Sequence, residues 1–101
     1  MDLKYFKDHI EDELCGSKDY IMRAMELKPM NLTWAKHFVD MSAAELGHAT
    51  TIYELFNEYY QTLSGSYKEM PEYIEDAKKE ITEMYSDCYP KIKIMHEMFM
   101  K

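Results

Sequence analysis

The chain has 101 residues, of which 47% are hydrophobic and 31% charged, and its formal net charge is −7. This length supports one hydrophobic core, and this composition is typical of a folded protein, which excludes disordered and multidomain chains. The chain is acidic and has no stripe of lysine or arginine, which excludes nucleic-acid partners. It contains no run of about 18 apolar residues, so no membrane span is predicted. The opening residues, MDLKYFKDHI, contain no apolar signal-peptide core, so we expect a cytoplasmic protein.

Three glycines and three prolines divide the chain into helical segments, and no strand-like alternation occurs. The first helix is predicted over residues 2–27, because Pro29 disfavours helix in the residue before it. The second is predicted over residues 31–63, with either Asn31 or Thr33 as its N-cap.

The third helix is predicted over residues 71–100, with Pro71 in its first turn and a kink near Pro90. The predicted fold class is therefore all-α. It consists of an antiparallel helical hairpin and a third, C-terminal helix in a single domain, residues 1–101.

Apolar residues repeat on one side of each of the first two helices, and both stripes contain polar residues that can bind a metal. Glu13 lies in the first stripe, and Glu45 and His48 lie in the second. The stripes comprise Leu3, Phe6, Ile10, Glu13, Ser17, Tyr20, Ile21 and Ala24 in the first helix, and Trp34, Phe38, Met41, Glu45, His48, Ile52, Phe56, Tyr59 and Leu63 in the second.

The short turn at Pro29 places residues whose numbers sum to about 58 at equal height in the hairpin. Glu13 and Glu45 satisfy this rule, and His48 lies one turn from Glu45 on the same face. Two carboxylates in an apolar seam, with no lysine or arginine beside them, are costly unless a cation offsets their charge. A divalent metal such as iron, manganese or zinc fits this set of oxygen and nitrogen donors.

One chain supplies only three ligands, so the open seam favours a second copy across a two-fold axis. Two hairpins would form a four-helix bundle with four glutamates and two histidines. Two divalent ions would balance the four negative charges, which indicates a di-metal centre.

Glu13 on one helix and the Glu-x-x-His sequence "ELGH", Glu45–His48, on its antiparallel neighbour resemble the ferritin-like di-iron carboxylate superfamily. Because this half-site occurs once rather than twice, the chain is most similar to the short encapsulated-ferritin type.

The resemblance implies a ferritin-like four-helix bundle formed by a homodimer or a higher homo-oligomer. It also implies an intersubunit di-iron site with Glu13 as the first-helix glutamate and Glu45 and His48 as the Glu-x-x-His pair. The implied activity is ferroxidase, in iron storage or oxidative-stress protection, and an encapsulin shell is an implied partner that would place the protein inside a nanocompartment.

Two interpretations that involve no metal are also compatible with the sequence. In the first, Glu45 and His48 hydrogen-bond to Tyr20, Tyr53 or Ser17 in a polar core layer that fixes the helix register. In the second, the chain is an acidic helical protein-interaction module without metal chemistry.

The other histidines and cysteines considered as metal ligands are predicted to have mainly structural or surface roles. His9 is expected at the border of the first stripe, and His96 is expected as a partly buried structural histidine. Cys15 and Cys88 lack CxxC spacing, so reduced thiols are expected. Cys88 either lines the predicted site or fills a small space in the core.

Overall fold

A computed structural model describes residues 2–101, and Met1 lies outside the described part. Three helices make up the fold: α1 (Leu3–Leu27), α2 (Leu32–Ser66) and α3 (Glu72–Met100). No strand occurs within residues 2–101, so the predicted all-α class with three helices is confirmed. None of these helices, over the same residues, has an apolar stretch long enough to cross a membrane.

Side-chain caps determine where the first two helices begin. The Asp2 carboxylate accepts the backbone N–H of Tyr5 at 2.8 Å. Asn31 accepts the N–H of Trp34 at 3.0 Å, so Asn31 rather than Thr33 is the cap of α2. Each contact satisfies one of the backbone donors that a helix N-terminus leaves unpaired.

The second helix is longer than its predicted range and ends at Ser66 rather than at residue 63. Gly65 lies inside it, and the Ser66 hydroxyl donates to the Thr62 carbonyl at 3.2 Å. The third helix is continuous through Pro90, where the sequence predicts a kink.

The first two helices run antiparallel, with residues at the predicted heights near the turn, whereas farther along Phe6 packs on Phe56 and Tyr59, later in α2 than the rule predicts. The Tyr20 and Phe38 rings lie 6.0 Å apart between centroids, and their residue numbers follow the hairpin rule. The Ser17 hydroxyl donates to the Ser42 carbonyl at 2.8 Å, and the Ser42 hydroxyl donates to the Ser17 carbonyl at 2.7 Å. Both serines are fully buried, so this pair joins the hairpin through its core.

The third helix runs antiparallel to α2. Tyr85 hydrogen-bonds to Thr50 at 2.7 Å, and His96 Nε2 lies 2.9 Å from the Ser42 hydroxyl. Burial, together with the charge of Lys93, lowers the pKa of the His96 imidazole. His96 is thus a half-buried contact between helices, as the sequence predicts.

Two clusters of buried side chains form the core, and α3 contributes to both. In each cluster, apolar side chains of the hairpin meet one or two large side chains of α3. The clusters comprise Phe6, Ile10, Leu14, Leu46, Ala49, Phe56, Ile81 and Ile92, and then Ile21, Ala24, Ala35 and Phe99. None of the three predicted metal ligands belongs to either cluster.

The buried face of α2 differs from the predicted stripe. Trp34 is 61% exposed, Met41 is 39% exposed and the His48 side chain is 63% exposed, so the stripe is wrong at these positions in a single chain. The helix instead buries Ala35, Ser42, Leu46, Ala49 and Phe56. Small alanine and serine side chains contribute little to apolar periodicity, but they allow close helix packing. The glutamates consequently lie beside the core rather than within it.

Candidate metal centre

Glu13 of α1 and Glu45 and His48 of α2 come together on the hairpin. Each offers one ligand atom, and these three atoms all lie within 4.8 Å of one another. Over residues 2–101, no other group of three His, Cys, Asp or Glu side chains is arranged in this way. The antiparallel register supplies the Glu13–Glu45 pair, and the three-residue helical spacing adds His48.

The cluster is half-buried on its carboxylate side and open on its imidazole side. His48 Nδ1 lies 3.4 Å from Glu13 Oε2, and the two side chains are 63% and 21% exposed respectively. Glu45 is also half-buried. One side of the cluster therefore remains accessible to an ion or to a second chain.

One oxygen of Glu13 is left without a hydrogen-bond partner. Glu13 Oε2 is buried, and its contact with His48 lacks hydrogen-bond alignment. Among the described residues, no lysine or arginine forms an ion pair with Glu13 or Glu45. A buried acceptor without a partner destabilises the fold by about 1–3 kcal/mol, and more when it is charged.

The neighbouring Glu13 carboxyl changes the pKa of Glu45. A hydrogen bond to Glu13 raises the pKa of the Glu45 carboxyl, partial burial and the Glu13 charge act in the same direction, and His48 opposes them. Protonation of Glu45 thus stabilises the pair when no cation is bound.

Metal-free protein is expected to lose stability as pH rises through the raised pKa of Glu45. An unfolded glutamate has a pKa of about 4.3, so between that pH and the raised value the folded state holds the proton more tightly. This stabilisation is complete below the unfolded pKa and is lost above the folded one. Thermal unfolding of wild type and Glu45→Gln between pH 4 and pH 8 would measure it, and an equal slope in both proteins would contradict the assignment.

The residues present suit a divalent cation. Carboxylate oxygens and a neutral imidazole nitrogen are ligands for iron, manganese and zinc. A cation among the three side chains would offset the carboxylate charge and give Glu13 Oε2 a partner. The types of donor atom and the unpartnered oxygen therefore both indicate a cation.

Within the described residues, none of the partners proposed for a polar core layer forms a hydrogen bond to Glu45 or His48. Ser17 hydrogen-bonds to Ser42, Tyr20 packs against Phe38, and Tyr53 stacks on Tyr85 at 4.1 Å between ring centroids. A buried polar layer does exist in the core, but it is formed by the two serines. Glu45 and His48 take no part in it.

The other predicted candidates lie apart from the cluster. His9 is exposed and stacks on Tyr5 at 4.6 Å between ring centroids. Cys15 and Cys88 are free thiols that line a cavity of about 410 Å³ between α1 and α3. Burial raises the pKa of the Cys15 thiol, with nearby acids and Cys88 acting in the same direction. Cys88 packs against the first core cluster and is not part of the metal cluster, so of its two predicted roles the structure supports the one in the core.

Sequence reasoning did not identify Gly16 as part of this region. A Cβ atom at Gly16 would lie 3.2 Å from Glu45 Oε2, so this glycine faces the cluster from α1. The available signal was its position one turn after Glu13, on the same side of the helix.

The fold and the cluster together define a small all-α protein with a carboxylate–imidazole group on the open side of a helical hairpin. Comparisons of the chain with protein families, with curated proteins and with solved structures find no match.

Proposed function

We propose that the protein binds divalent iron at Glu13, Glu45 and His48 and oxidises it at a di-iron site shared by two chains. The observation that carries this proposal is the buried Glu13 Oε2 without a hydrogen-bond partner, within a group whose ligand atoms lie within 4.8 Å of one another. This arrangement provides a negative, partly dehydrated position that a cation would stabilise.

The spacing of the ligand atoms supports a shared ion. Metal–oxygen and metal–nitrogen bonds of about 2.0–2.2 Å place two ligands of one ion at most about 4.0–4.4 Å apart. The 3.4 Å separation of His48 Nδ1 and Glu13 Oε2 already lies within this limit. All three ligand atoms lie within 4.8 Å of one another, so side-chain adjustments of a few tenths of an ångström would bring them within the reach of one ion.

A second chain would complete the coordination. Three protein ligands leave positions open on one ion, and the open side of the cluster lies on the same face of α2 as the exposed Trp34 and Met41. A two-fold dimer through this face would bring together four glutamates and two histidines around two ions. The exposed aromatic and thioether side chains would then be buried between the copies.

The proposed reaction treats Fe²⁺ as the substrate. Two Fe²⁺ ions each give one electron to O₂, which takes up two protons and leaves as H₂O₂, and two Fe³⁺ ions remain. Glu13 and Glu45 would offset the increase in positive charge, and His48 would add a nitrogen ligand. Iron storage and protection against oxidative stress are both served by this chemistry.

Anaerobic addition of Fe²⁺ followed by air tests the proposal directly. We expect one iron per chain, a dimer by light scattering, and Fe³⁺ absorbance that reaches its plateau at two iron ions per dimer. Iron bound without a defined stoichiometry, or a monomer both with and without metal, would show the proposal to be wrong. Parallel titrations with Mn²⁺ and Zn²⁺ establish which ion the site prefers.

A further inference from the structure

Gly16 directly faces the Glu45 carboxylate across the hairpin. A Cβ atom built at Gly16 would lie 3.2 Å from Glu45 Oε2, 3.6 Å from its Cδ and 3.8 Å from its Cγ. The first of these distances is tighter than ordinary van der Waals contact, so an added methyl group would require the carboxylate to move by a few tenths of an ångström. The missing side chain therefore provides the space in which Glu45 approaches α1.

The backbone conformation does not itself require glycine at this position. Gly16 lies in the interior of α1, and no residue in the described part of the chain has a positive φ. Glycine in a helix interior is less favourable than alanine. At Gly16, the feature that the missing side chain accommodates is therefore the close approach of the Glu45 carboxylate.

We propose that Gly16 is a positioning residue for the metal centre, since it lets the Glu45 carboxylate reach Glu13. This inference rests on the proposed function and adds the residue that sets the separation of its two carboxylates. Gly16 touches neither a substrate nor an ion, and it acts only through Glu45.

The chain contains a matched control for this idea. Gly47 also lies inside a helix and stands between Glu45 and His48 in the sequence, but a Cβ atom there would meet nothing within 4 Å. Gly16→Ala and Gly47→Ala make the same chemical change and gain the same helix propensity. Only Gly16→Ala places a methyl group against the carboxylate.

Co²⁺ is the probe for the effect on metal binding, because its visible absorption bands report the number and arrangement of its ligands. We expect Gly16→Ala to bind Co²⁺ at least about 10-fold more weakly and with altered absorption bands. A loss of about 10-fold is the lower end of the range observed when a residue that orients a metal ligand is mutated. Gly47→Ala should bind as the wild type does. Equal affinity and identical bands in both variants would overturn the inference.

The melting temperatures of metal-free protein test, independently of metal binding, whether Gly16 positions the Glu45 carboxylate. Gly47→Ala should raise Tm by roughly 4–8 °C, the shift expected from the gain in helix propensity in a chain of this size. Gly16→Ala should raise Tm by less in the wild-type background and by as much as Gly47→Ala once Glu45→Ala is also present. An equal rise in both backgrounds would show that Gly16 does not restrict Glu45.

These two measurements separate the possible failures. If wild type binds no Co²⁺, the proposed function is wrong, while the melting temperatures still decide whether Gly16 positions Glu45. If wild type binds Co²⁺ and Gly16→Ala behaves as Gly47→Ala does in both measurements, the inference about Gly16 alone is overturned.

Discussion

Replacing Glu45 with glutamine is expected to abolish the thermal stabilisation of the protein by Fe²⁺. With free Fe²⁺ at 100 times its Kd, binding stabilises the folded protein by about 2.7 kcal/mol. In a chain of this size, that free energy corresponds to a rise in Tm of roughly 10–20 °C. Glutamine retains the shape of the side chain but loses the charge, so the ion would keep only Glu13 and His48 from this chain.

The expected loss of affinity is at least about 100-fold. Mutating a group that merely supports a ligand already weakens metal binding by about 10–100-fold, and Glu45 is proposed as a ligand itself. In metal-free protein at neutral pH, the same substitution should leave Tm unchanged or raise it, because it removes one of two facing negative charges. Binding and stability are thus expected to change in opposite directions.

Glu54→Gln is the matched control for this prediction. Glu54 is an exposed acid of α2 that takes no part in the cluster. Its substitution changes the net charge of the chain by the same amount and should preserve the response to Fe²⁺. A full Fe²⁺-dependent rise in Tm for Glu45→Gln would mean that Glu45 is not a ligand, and an equal loss in both variants would indicate a general charge effect.

The sequence predicts the helices and the meeting of the two glutamates because both depend on local rules. Asn31 caps α2, and the short turn near Pro29 fixes the heights of residues in the hairpin. An antiparallel register follows from turn length alone, so Glu13 and Glu45 could be paired before any packing was known. Their approach to His48 follows from helical spacing.

The buried face of α2 could not be predicted in the same way, because it depends on how closely α2 packs against α1 and α3. Trp34 and Met41 are more hydrophobic than Ala35 and Ala49, yet the alanines are buried and the larger residues are exposed. Small side chains bring helix backbones close together, and this advantage appears only once the neighbouring helix is in place.

The buried polar contacts could not be predicted from the sequence either. Ser17 and Ser42 form reciprocal side-chain to backbone hydrogen bonds in the core, although serine is usually a surface residue. Gly16 contributes through the absence of a side chain, which no apolar pattern records. Both features depend on which atoms face each other across two helices rather than on periodicity within one.

Introducing a charge at Met41 is expected to separate the proposed dimer without unfolding the chain. Met41 is 39% exposed and lies one helical turn before Glu45, on the face where a second copy would pack. A two-fold interface buries the same position from both copies, so Met41→Glu would place two unpaired carboxylates in it. Burying such a charge costs several kcal/mol, which predicts a dimer Kd at least about 100-fold higher.

Met22→Glu provides the control, since Met22 is 44% exposed and belongs to α1, outside the metal cluster. Sedimentation analysis should show wild type and Met22→Glu as dimers and Met41→Glu as a monomer at micromolar concentration. If both variants show the same oligomeric state, the face around Met41 is not the interface.

Metal binding and dimerisation should also be linked, because the proposed site is complete only in the dimer. By thermodynamic reciprocity, an ion that binds the dimer more tightly strengthens dimerisation by the same factor. Fe²⁺ should therefore lower the dimer Kd of wild type and partly restore the dimer of Met41→Glu, in which Glu13, Glu45 and His48 are all intact. It should leave the dimer Kd of Glu45→Gln unchanged. A dimer Kd that is independent of Fe²⁺ in wild type would place each site within a single chain.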